Sequence, residues 1–204
     1  MSRVVVLFVD LQNDFTQEWG KEFKPRPCVK FIRKNVFGFL EKKGVEVVEV
    51  ISDYRQPRPG DRGDCCCPGS PGFKSELLYS GLRCAAAPWI KCMHSPIWTR
   101  ENIGDAKKEP GPPYQDPQAF GKWLNTAIGH PKTVDVVVLM GLTLDCCVLC
   151  AAQELRWRGY EVRILSEATD TYSGNPLEKD RILICPPITN WAKPIPWARF
   201  KIMF

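Results

Sequence analysis

The stretch RVVVLFVDLQNDF, residues 3–15, joins an apolar segment directly to a polar one. Residues 3–9 are rich in valine and lack the alternation of apolar and polar positions that marks a half-exposed strand. Such a run is typical of a parallel β-strand that helices cover on both faces. Asp10 follows at the carboxyl end of the predicted strand, which is where open parallel sheets bind ligands. The stretch therefore predicts a buried strand and the edge of the sheet that carries a site.

Strand-like and helix-like segments alternate through the rest of the chain. We expect strands at 45–51, 87–91, 134–140, 162–165 and 200–203, and helices at 29–43, 116–128 and 145–158. This alternation predicts an α/β fold, with a doubly wound parallel sheet and right-handed crossovers, in one domain over residues 1–204. Lys91 and the segment 145–147 join Asp10 just past the ends of predicted strands. Three polar sites are therefore expected to meet at one edge of the sheet.

The composition argues against several classes of protein. The net charge of +5 arises from 28 basic and 23 acidic residues that are scattered along the chain. A nucleic-acid-binding protein would concentrate that charge on one surface, so we expect no nucleic-acid partner. The N-terminal apolar run is too short to span a membrane and has no small-residue cleavage site. We therefore expect a cytoplasmic protein, without membrane contact, whose partner is a small molecule.

The segment GLTLDCCV, residues 141–148, joins a predicted strand to the predicted helix 145–158, and Cys147 falls in the first helical turn. Free N–H groups and the helix dipole at such a position lower the pKa of a thiol and stabilise its thiolate. The same N–H groups can bind the oxyanion that forms when a thiolate attacks a carbonyl. The alternative is that Cys146, Cys147 and Cys150 are small core residues, as free cysteines often are.

Four segments together resemble one known superfamily. DLQNDF, residues 10–15, resembles the D-x-Q-N-D-F signature at the start of isochorismatase-like cysteine hydrolases, and residues 141–148 resemble their G-x-x-T-D-x-C-V segment. PWIK, residues 88–91, resembles the strand that delivers their lysine, and PGSPG, residues 68–72, resembles one of their turns. The superfamily includes nicotinamidases, N-carbamoylsarcosine amidohydrolases and isochorismatase itself. The resemblance covers roughly residues 3–172.

The resemblance implies a three-layer, doubly wound and mainly parallel six-stranded sheet with a catalytic triad at its edge. Carried onto this chain, the triad is Asp10, Lys91 and Cys147. The backbone N–H groups of Thr143 and Cys147 would form the oxyanion hole, and the Leu142–Thr143 peptide would be cis. Asp10 would take the thiol proton, and Lys91 would hold both charges in place.

The same resemblance implies the chemistry. A small amide, urea or carbamoyl compound would lose its C–N bond through a thioester on Cys147. Phe15 and Gln12 would contact the substrate. Adjacent helical residues point about 100° apart, so only Cys147, and not Cys146, is expected to face the pocket.

Assembly is a further expectation. Relatives of this type commonly form dimers or tetramers, so we expect a homo-oligomer, and the aromatic tail of the chain is a candidate interface. The large aromatic residues of the tail are Trp191, Trp197, Phe200 and Phe204.

Departures from the family pattern argue against a metal. Nicotinamidases carry an Asp-x-His metal motif after the second strand, where this chain has Asp53-Tyr54-Arg55. His94 and His130 are the two histidines of the chain, and His94 is predicted to be a loop residue. We therefore expect neither a metal site nor a cofactor. Isochorismatase works without a cysteine nucleophile, so the cysteine here also argues against vinyl-ether hydrolysis.

A thiol–disulfide redox protein is the main alternative. Cys147 and Cys150 form a Cys-x-x-Cys pair at the start of a predicted helix, as redox proteins require. That function leaves Asp10 and Lys91 unexplained. A binding protein that keeps the site without turnover is a further alternative.

The remaining cysteines suggest a third alternative. Residues 65–67 are all cysteine, and with Cys84, Cys92 or His94 they could hold a metal. Consecutive ligands suit tetrahedral spacing poorly, so a disulfide from this run to Cys84, Cys92 or Cys28 fits better. A secreted disulfide scaffold is not expected, because apolar strands already supply a core and no signal peptide is present.

Overall fold

A computed structural model describes residues 3–58 and 63–204. Its strands are β1 (Val4–Val9), β2 (Val47–Ser52), β3 (Trp89–Lys91), β4 (Trp98–Thr99), β5 (Tyr114–Gln115), β6 (Val136–Leu142), β7 (Val162–Asp170) and β8 (Lys193–Ile195). Six of them form one sheet in the order β3-β2-β1-β6-β7-β8. Every neighbouring pair in this sheet is parallel, and β4 and β5 form a small antiparallel pair. The predicted parallel sheet is therefore confirmed.

The helices are α1 (Asn13–Thr16), α2 (Pro27–Phe31), α3 (Phe37–Lys42), α4 (Pro117–Ala127), α5 (Cys147–Trp157), α6 (Pro176–Ile184), α7 (Ile188–Trp191) and α8 (Trp197–Lys201). A π-helical turn over Ile32–Val36 joins α2 to α3, so the helix predicted at 29–43 is one continuous rod with a local change of winding. The helices α6 and α7 were not predicted.

Side chains of β1 alternate between two apolar cores. Val5, Leu7 and Val9 face the core that contains α4 and α5, whereas Val6 and Phe8 face the core that contains α2 and α3. Helices therefore cover both faces of the sheet, which gives the three layers that the resemblance implied. Burial on both faces also explains why the first strand has no polar position before its end.

Local signals set several element ends as predicted. The Asp116 side chain accepts a hydrogen bond from Ala119 N at 2.8 Å, and Pro117 occupies the first position of α4. Gly44 ends the first long helix with φ at +65°, a left-handed conformation that glycine adopts without steric cost. These signals are local to each helix end, so they can be recognised in a single sequence.

The last strand lies earlier than predicted. Residues 193–195 form β8, whereas the predicted strand at 200–203 overlaps α8. Trp197 and Phe200 stack within this helix at 5.4 Å, and Phe39 packs edge-on against Trp197 at 5.2 Å. Helical spacing of the two aromatic residues is what allows both to cover the α3 face of the sheet.

The aromatic tail is used within the chain. Phe200 is fully buried, and Trp197 and Phe204 pack against the same core. Trp191 packs against the opposite core. These rings contact this chain's own helices, but Trp191, Trp197 and Phe204 are only half-buried. The part of the tail in assembly therefore stays a prediction.

The carboxyl ends of the central strands meet at one edge. Val9 pairs with Gly141 across β1 and β6, and Ser52 pairs with Lys91 across β2 and β3. Gly141 has φ at +113°, and a Cβ there would lie 2.1 Å from the Val9 carbonyl oxygen. Only glycine therefore allows the two strands to approach closely just before the cysteine segment.

No helix within residues 3–58 and 63–204 has both the length and the apolar character that crossing a membrane requires.

Candidate active site

The three residues of the predicted triad converge at this edge. Lys91 Nζ lies 2.8 Å from Asp10 Oδ2 and 3.4 Å from Cys147 Sγ. Asp10 and Lys91 are almost completely buried, with exposed fractions of 1% and 0%. An ion pair shielded in this way from water interacts more strongly than a surface pair. The geometry places a cation between a carboxylate and a thiol.

Two residues that the sequence analysis did not select complete the cluster. The Ser52 hydroxyl donates to Asp10 Oδ1 at 2.9 Å and accepts from Lys91 Nζ at 2.7 Å. The Tyr54 hydroxyl lies 2.8 Å from Lys91 Nζ and 3.3 Å from Cys147 Sγ. Both residues come from the carboxyl end of β2, directly beside β1 in the sheet. The sequence feature that could have identified them is their position at the end of a strand that neighbours the strand of Asp10.

Gln12 does not line the cavity and takes a structural position. Its Nε2 donates to the carbonyls of Ser52 and Phe73, and its Oε1 accepts from Ser52 N at 2.7 Å. The side chain is fully buried, so its amide has no capacity directed at a ligand. Its position argues against the predicted substrate contact, because the amide instead fixes the backbone at Ser52.

The neighbouring residues of the same motif hold a loop over the site. Asn13 Nδ2 donates to Pro71 O at 3.0 Å, and the Asp14 carboxylate accepts from Cys66 N at 2.5 Å. A Cβ on Gly72 would lie 2.2 Å from Asp14 Oδ1. The motif and the glycine-rich turn at residues 68–72 therefore belong to one packed unit.

Cys147 is the first residue of α5, as the sequence indicates, and only 6% of it is exposed. Burial raises the pKa of its thiol, and the charge of Lys91 opposes that effect only in part. The prediction that the helix start lowers this pKa is therefore wrong in direction, because removal from water outweighs the nearby positive charges.

Lys91 keeps its charge inside the protein. Burial alone would lower its pKa, but the Asp10 carboxylate and the other acidic neighbours raise it well above the usual value. The neighbouring negative charges therefore favour the charged form of Lys91. It stabilises negative charge on either of its two reactive neighbours.

The backbone at the start of α5 offers free donors. In the described part of the chain, the N–H groups of Thr143 and Cys147 have no hydrogen-bond acceptor. The Leu142–Thr143 peptide is cis, as the resemblance implied. Asp145 fixes the far side of the segment, because its carboxylate accepts from Tyr172 N at 2.9 Å. Two unpaired N–H groups beside a buried thiol form a suitable oxyanion site.

A cavity of about 310 Å³ opens onto Cys147. Phe15 lines it, and its ring meets the Tyr54 ring edge to face at 6.5 Å. Arg58, with its guanidinium 4.2 Å from the centre of the Tyr54 ring, and the exposed His94 also line it. This combination of aromatic wall and polar groups suits a small, partly planar molecule.

Cys146 also lines the cavity, contrary to the expectation that only one of the two adjacent cysteines faces it. Cys146 is the N-cap residue of α5 and has φ and ψ of −129° and −93°. It therefore lies outside the helix, and the angular spacing of helical residues does not apply to it. Cys146 remains a second thiol within reach of a ligand.

The residues do not fit the metal site that nicotinamidase-type relatives carry. The Asp53 carboxylate is paired with Arg55, with 2.7 Å between Nη2 and Oδ2 and 2.9 Å between Nε and Oδ1. Gly104 N donates to the same carboxylate at 2.9 Å. No group of three or more His, Cys, Asp or Glu side chains within residues 3–58 and 63–204 has a metal-binding arrangement.

All ten cysteines are free thiols in this structure. The disulfide that was weighed against a metal site for the run at 65–67 is absent from this structure. Cys65 and Cys66 are buried instead, and Cys65 lines the cavity. Cys147 and Cys150 are likewise unpaired. The free thiols of Cys147 and Cys150 give no support for a redox-active disulfide between them.

Comparison with known proteins identifies the architecture. No protein-family model matches the chain, and no curated protein matches it in sequence. Among solved structures, it is similar to an isochorismatase-like hydrolase from Alkaliphilus metalliredigens, with TM-score 0.65 and 17% identity over 99% of this chain and 98% of that chain.

Two further structures carry more specific names. A pyrazinamidase from Pyrococcus horikoshii, solved in complex with zinc, gives TM-score 0.65 and 18% identity over 96% of this chain and 99% of that one. An N-carbamoylsarcosine amidase from Thermoplasma acidophilum gives TM-score 0.58 and 20% identity over 94% and 95%. The near full-length overlap with these structures agrees with the sequence resemblance. The chain therefore has the fold of the isochorismatase-like hydrolases.

Proposed function

We propose that this protein is a cysteine hydrolase that cleaves a C–N bond in a small amide, urea or carbamoyl compound. The observation that carries the proposal is the buried ammonium of Lys91, which lies within reach of both the Asp10 carboxylate and the Cys147 sulfur. A core that only needed stability would not retain such a cluster beside a cavity, because burying charged groups is costly.

In the first half of the reaction, the Cys147 proton passes to Asp10 as the sulfur attacks the carbonyl carbon. The carbonyl electron pair moves onto oxygen, and the N–H groups of Thr143 and Cys147 bind the resulting oxyanion. Collapse of this intermediate breaks the C–N bond. Asp10 then returns the proton to the departing nitrogen, so an amine or ammonia leaves and a thioester remains.

In the second half, water attacks the thioester carbonyl and gives a proton to Asp10. The second tetrahedral intermediate uses the same oxyanion site. Its collapse breaks the C–S bond, and Asp10 returns the proton to the Cys147 sulfur as the acid is released. Because burial raises the pKa of the Cys147 thiol, the proposed sequence begins from a thiol whose proton Asp10 accepts.

The cavity limits the class of substrate. A volume of about 310 Å³ holds a small molecule, and the edge-to-face rings of Phe15 and Tyr54 favour a planar carbonyl group. The related structures bear the names of an amidase of N-carbamoylsarcosine and of a pyrazinamidase. We extend to this chain only the C–N bond that those names share.

The experiment is a hydrolysis screen over small amides, ureas and carbamoyl compounds, with ammonia release as the readout. Cys147→Ala should abolish release, whereas Cys146→Ala, which removes the neighbouring thiol of the same cavity, should keep most of it. Loss in the second variant alone would move the nucleophile to Cys146. A screen in which the unchanged protein releases nothing from any compound would favour a binding protein.

We also propose a homo-oligomer in a reducing compartment, the cytoplasm. Ten free thiols suit such a compartment, since they would oxidise outside it. Large hydrophobic side chains exposed on α5 and α6 are Trp157, Leu177 and Ile184. Light scattering that gives the mass of one chain at micromolar concentration would rule out the oligomer.

A further inference from the structure

We propose that Tyr54 is a fourth member of the catalytic machinery, in which its hydroxyl, held by Lys91, donates the hydrogen bond that stabilises the Cys147 thiolate. This inference rests on the proposed cysteine hydrolase function. Tyr54 lines the cavity, and only 5% of the residue is exposed. Its hydroxyl touches the atom that would react with a substrate.

Lys91 has fewer hydrogens to donate than it has acceptors around it. An ammonium group has three N–H donors and no acceptor. Four atoms surround it: Asp10 Oδ2 at 2.8 Å, Ser52 Oγ at 2.7 Å, Tyr54 OH at 2.8 Å and Cys147 Sγ at 3.4 Å. Three hydrogens cannot fully serve four acceptors, and the contact with sulfur is the longest of the four. A Cys147 thiolate would therefore gain from a hydrogen-bond donor besides Lys91.

The Tyr54 hydroxyl both accepts and donates a hydrogen bond. Because Lys91 can only donate, the Tyr54 oxygen must accept from it, and the single hydroxyl hydrogen is free for another atom. Among the described residues, two acceptors lie in reach, Cys147 Sγ at 3.3 Å and Met93 O at 3.4 Å. The first distance is short for a bond to the larger sulfur atom, whereas the second is long for one between oxygens. The hydrogen therefore points to Cys147.

The Tyr54 hydroxyl stays protonated, and its ring is held in position. Burial, followed by the negative charge of a Cys147 thiolate, raises the pKa of Tyr54 well above its usual value, so the hydroxyl keeps its hydrogen. The backbone of Tyr54 bridges to Cys65 in both directions, at 3.2 Å and 3.4 Å. The ring is fixed by its edge-to-face contact with Phe15. The donor is therefore aimed before the thiolate exists.

The hydrogen bond from Tyr54 affects the proposed reaction. A hydrogen bond gains strength when its acceptor becomes charged, so Tyr54 favours the thiolate over the thiol. The thiolate occurs twice in the cycle, as the attacking group and as the group that leaves the thioester. Besides its own contact with the sulfur, Lys91 supports both steps through Tyr54, because its hydrogen bond to the Tyr54 oxygen makes the hydroxyl a better donor.

The test is Tyr54→Phe, which keeps the ring and deletes one hydroxyl. A matched control is Tyr160→Phe, because the Tyr160 hydroxyl donates to Gly129 O at 2.6 Å and lies outside the cavity. Alkylation of Cys147 by iodoacetamide, followed by peptide mass spectrometry, is measured across alkaline pH. Below the thiol pKa we expect about a tenfold slower reaction in Tyr54→Phe and an unchanged rate in the control. The kcat of a hydrolysed amide should fall about tenfold or more, with KM nearly unchanged.

An unchanged alkylation profile in Tyr54→Phe would overturn the inference and would direct the hydroxyl to Met93. If that variant does not fold, the unmodified sequence produced with 3-fluorotyrosine provides a second measurement, since fluorine makes the phenol a stronger donor. Alkylation of Cys147 should then accelerate, and no change would contradict the inference. Alkylation needs no turnover, so failure of the hydrolase proposal alone would leave the dependence on Tyr54 intact.

Discussion

The guanidinium of Arg55 contacts both oxygens of the Asp53 carboxylate, at 2.7 Å and 2.9 Å. A bidentate pair of this kind occupies both oxygens of the carboxylate and neutralises its charge. A metal cation would therefore gain little by binding at Asp53. Arg55 also donates to the carbonyl of Asp105 at 3.0 Å, which anchors the pair to the next loop. In this chain the position after β2 is a structural ion pair.

Hydrolysis should therefore survive removal of metals. We expect the rate of ammonia release to be the same before and after dialysis against excess EDTA. The same rates should be measured after zinc is added back. Loss of activity with the chelator and recovery with zinc would show that a metal takes part, in spite of the Asp53–Arg55 pair.

Lys91→Met should cost about a hundredfold to a thousandfold in kcat/KM, because it removes one charge from a dry site while keeping the length of the side chain. Alkylation of Cys147 at fixed pH should slow in the same variant. The control is Lys179→Met, which breaks a comparable ion pair with Asp170, 3.0 Å long, outside the cavity. Equal losses in both variants would indicate a general effect of broken ion pairs. Circular dichroism checks that each variant is folded.

Glu49→Gln should stabilise the protein at alkaline pH. Burial raises the pKa of Glu49 to about 7, while a hydrogen bond from Ser75 opposes the shift. An acid whose pKa is raised by folding favours the fold at low pH, and that contribution is lost as pH rises from about 4.5 to about 7. At pH near 8 the variant should gain on the order of 3 kcal/mol in free energy of unfolding, and almost nothing near pH 4. Urea unfolding at both pH values measures this difference, and a gap that stays constant with pH would contradict it.

Gly141→Ala should destabilise the sheet at the edge of the site. The added Cβ would lie 2.1 Å from Val9 O, at a φ of +113° that other residues rarely adopt. A loss of about 2 kcal/mol or more is expected in thermal or urea unfolding. Gly38→Ala is the control, because nothing lies within 4 Å of its Cβ and the residue is in α3. That change should stabilise the protein by up to about 1 kcal/mol.

Strand ends and motif positions were enough to predict that Asp10, Lys91 and Cys147 would meet. Asp10 follows an apolar run, Lys91 ends one, and Cys147 lies in the segment after another, and the carboxyl ends of parallel strands share one edge. Tyr54 and Ser52 were missed because nothing in a single sequence says that β2 is the direct neighbour of β1. With the order of strands in hand, their proximity to Asp10 follows from the register.

The predictions for the Cys147 pKa and for the last strand were wrong because both depend on tertiary contacts that a single sequence does not show. The pKa of Cys147 depends on how much of it is exposed, and its position at a helix start carries no information on burial. The tail was predicted as a strand because apolar residues cluster at 200–203, but Phe200 and Trp197 pack as a helical pair on Phe39. That partner is distant in sequence, so tertiary contact decides the local structure.

The proposed reaction passes through a thioester on Cys147. The most direct measurement is acid quenching during turnover of a substrate found in the screen, followed by peptide mass spectrometry. The peptide that contains Cys147 should gain the mass of the substrate less the departing amine or ammonia, and Cys147→Ala should show no adduct on that peptide. An adduct on Cys146 or Cys65, or turnover that proceeds unchanged in Cys147→Ala, would contradict the account.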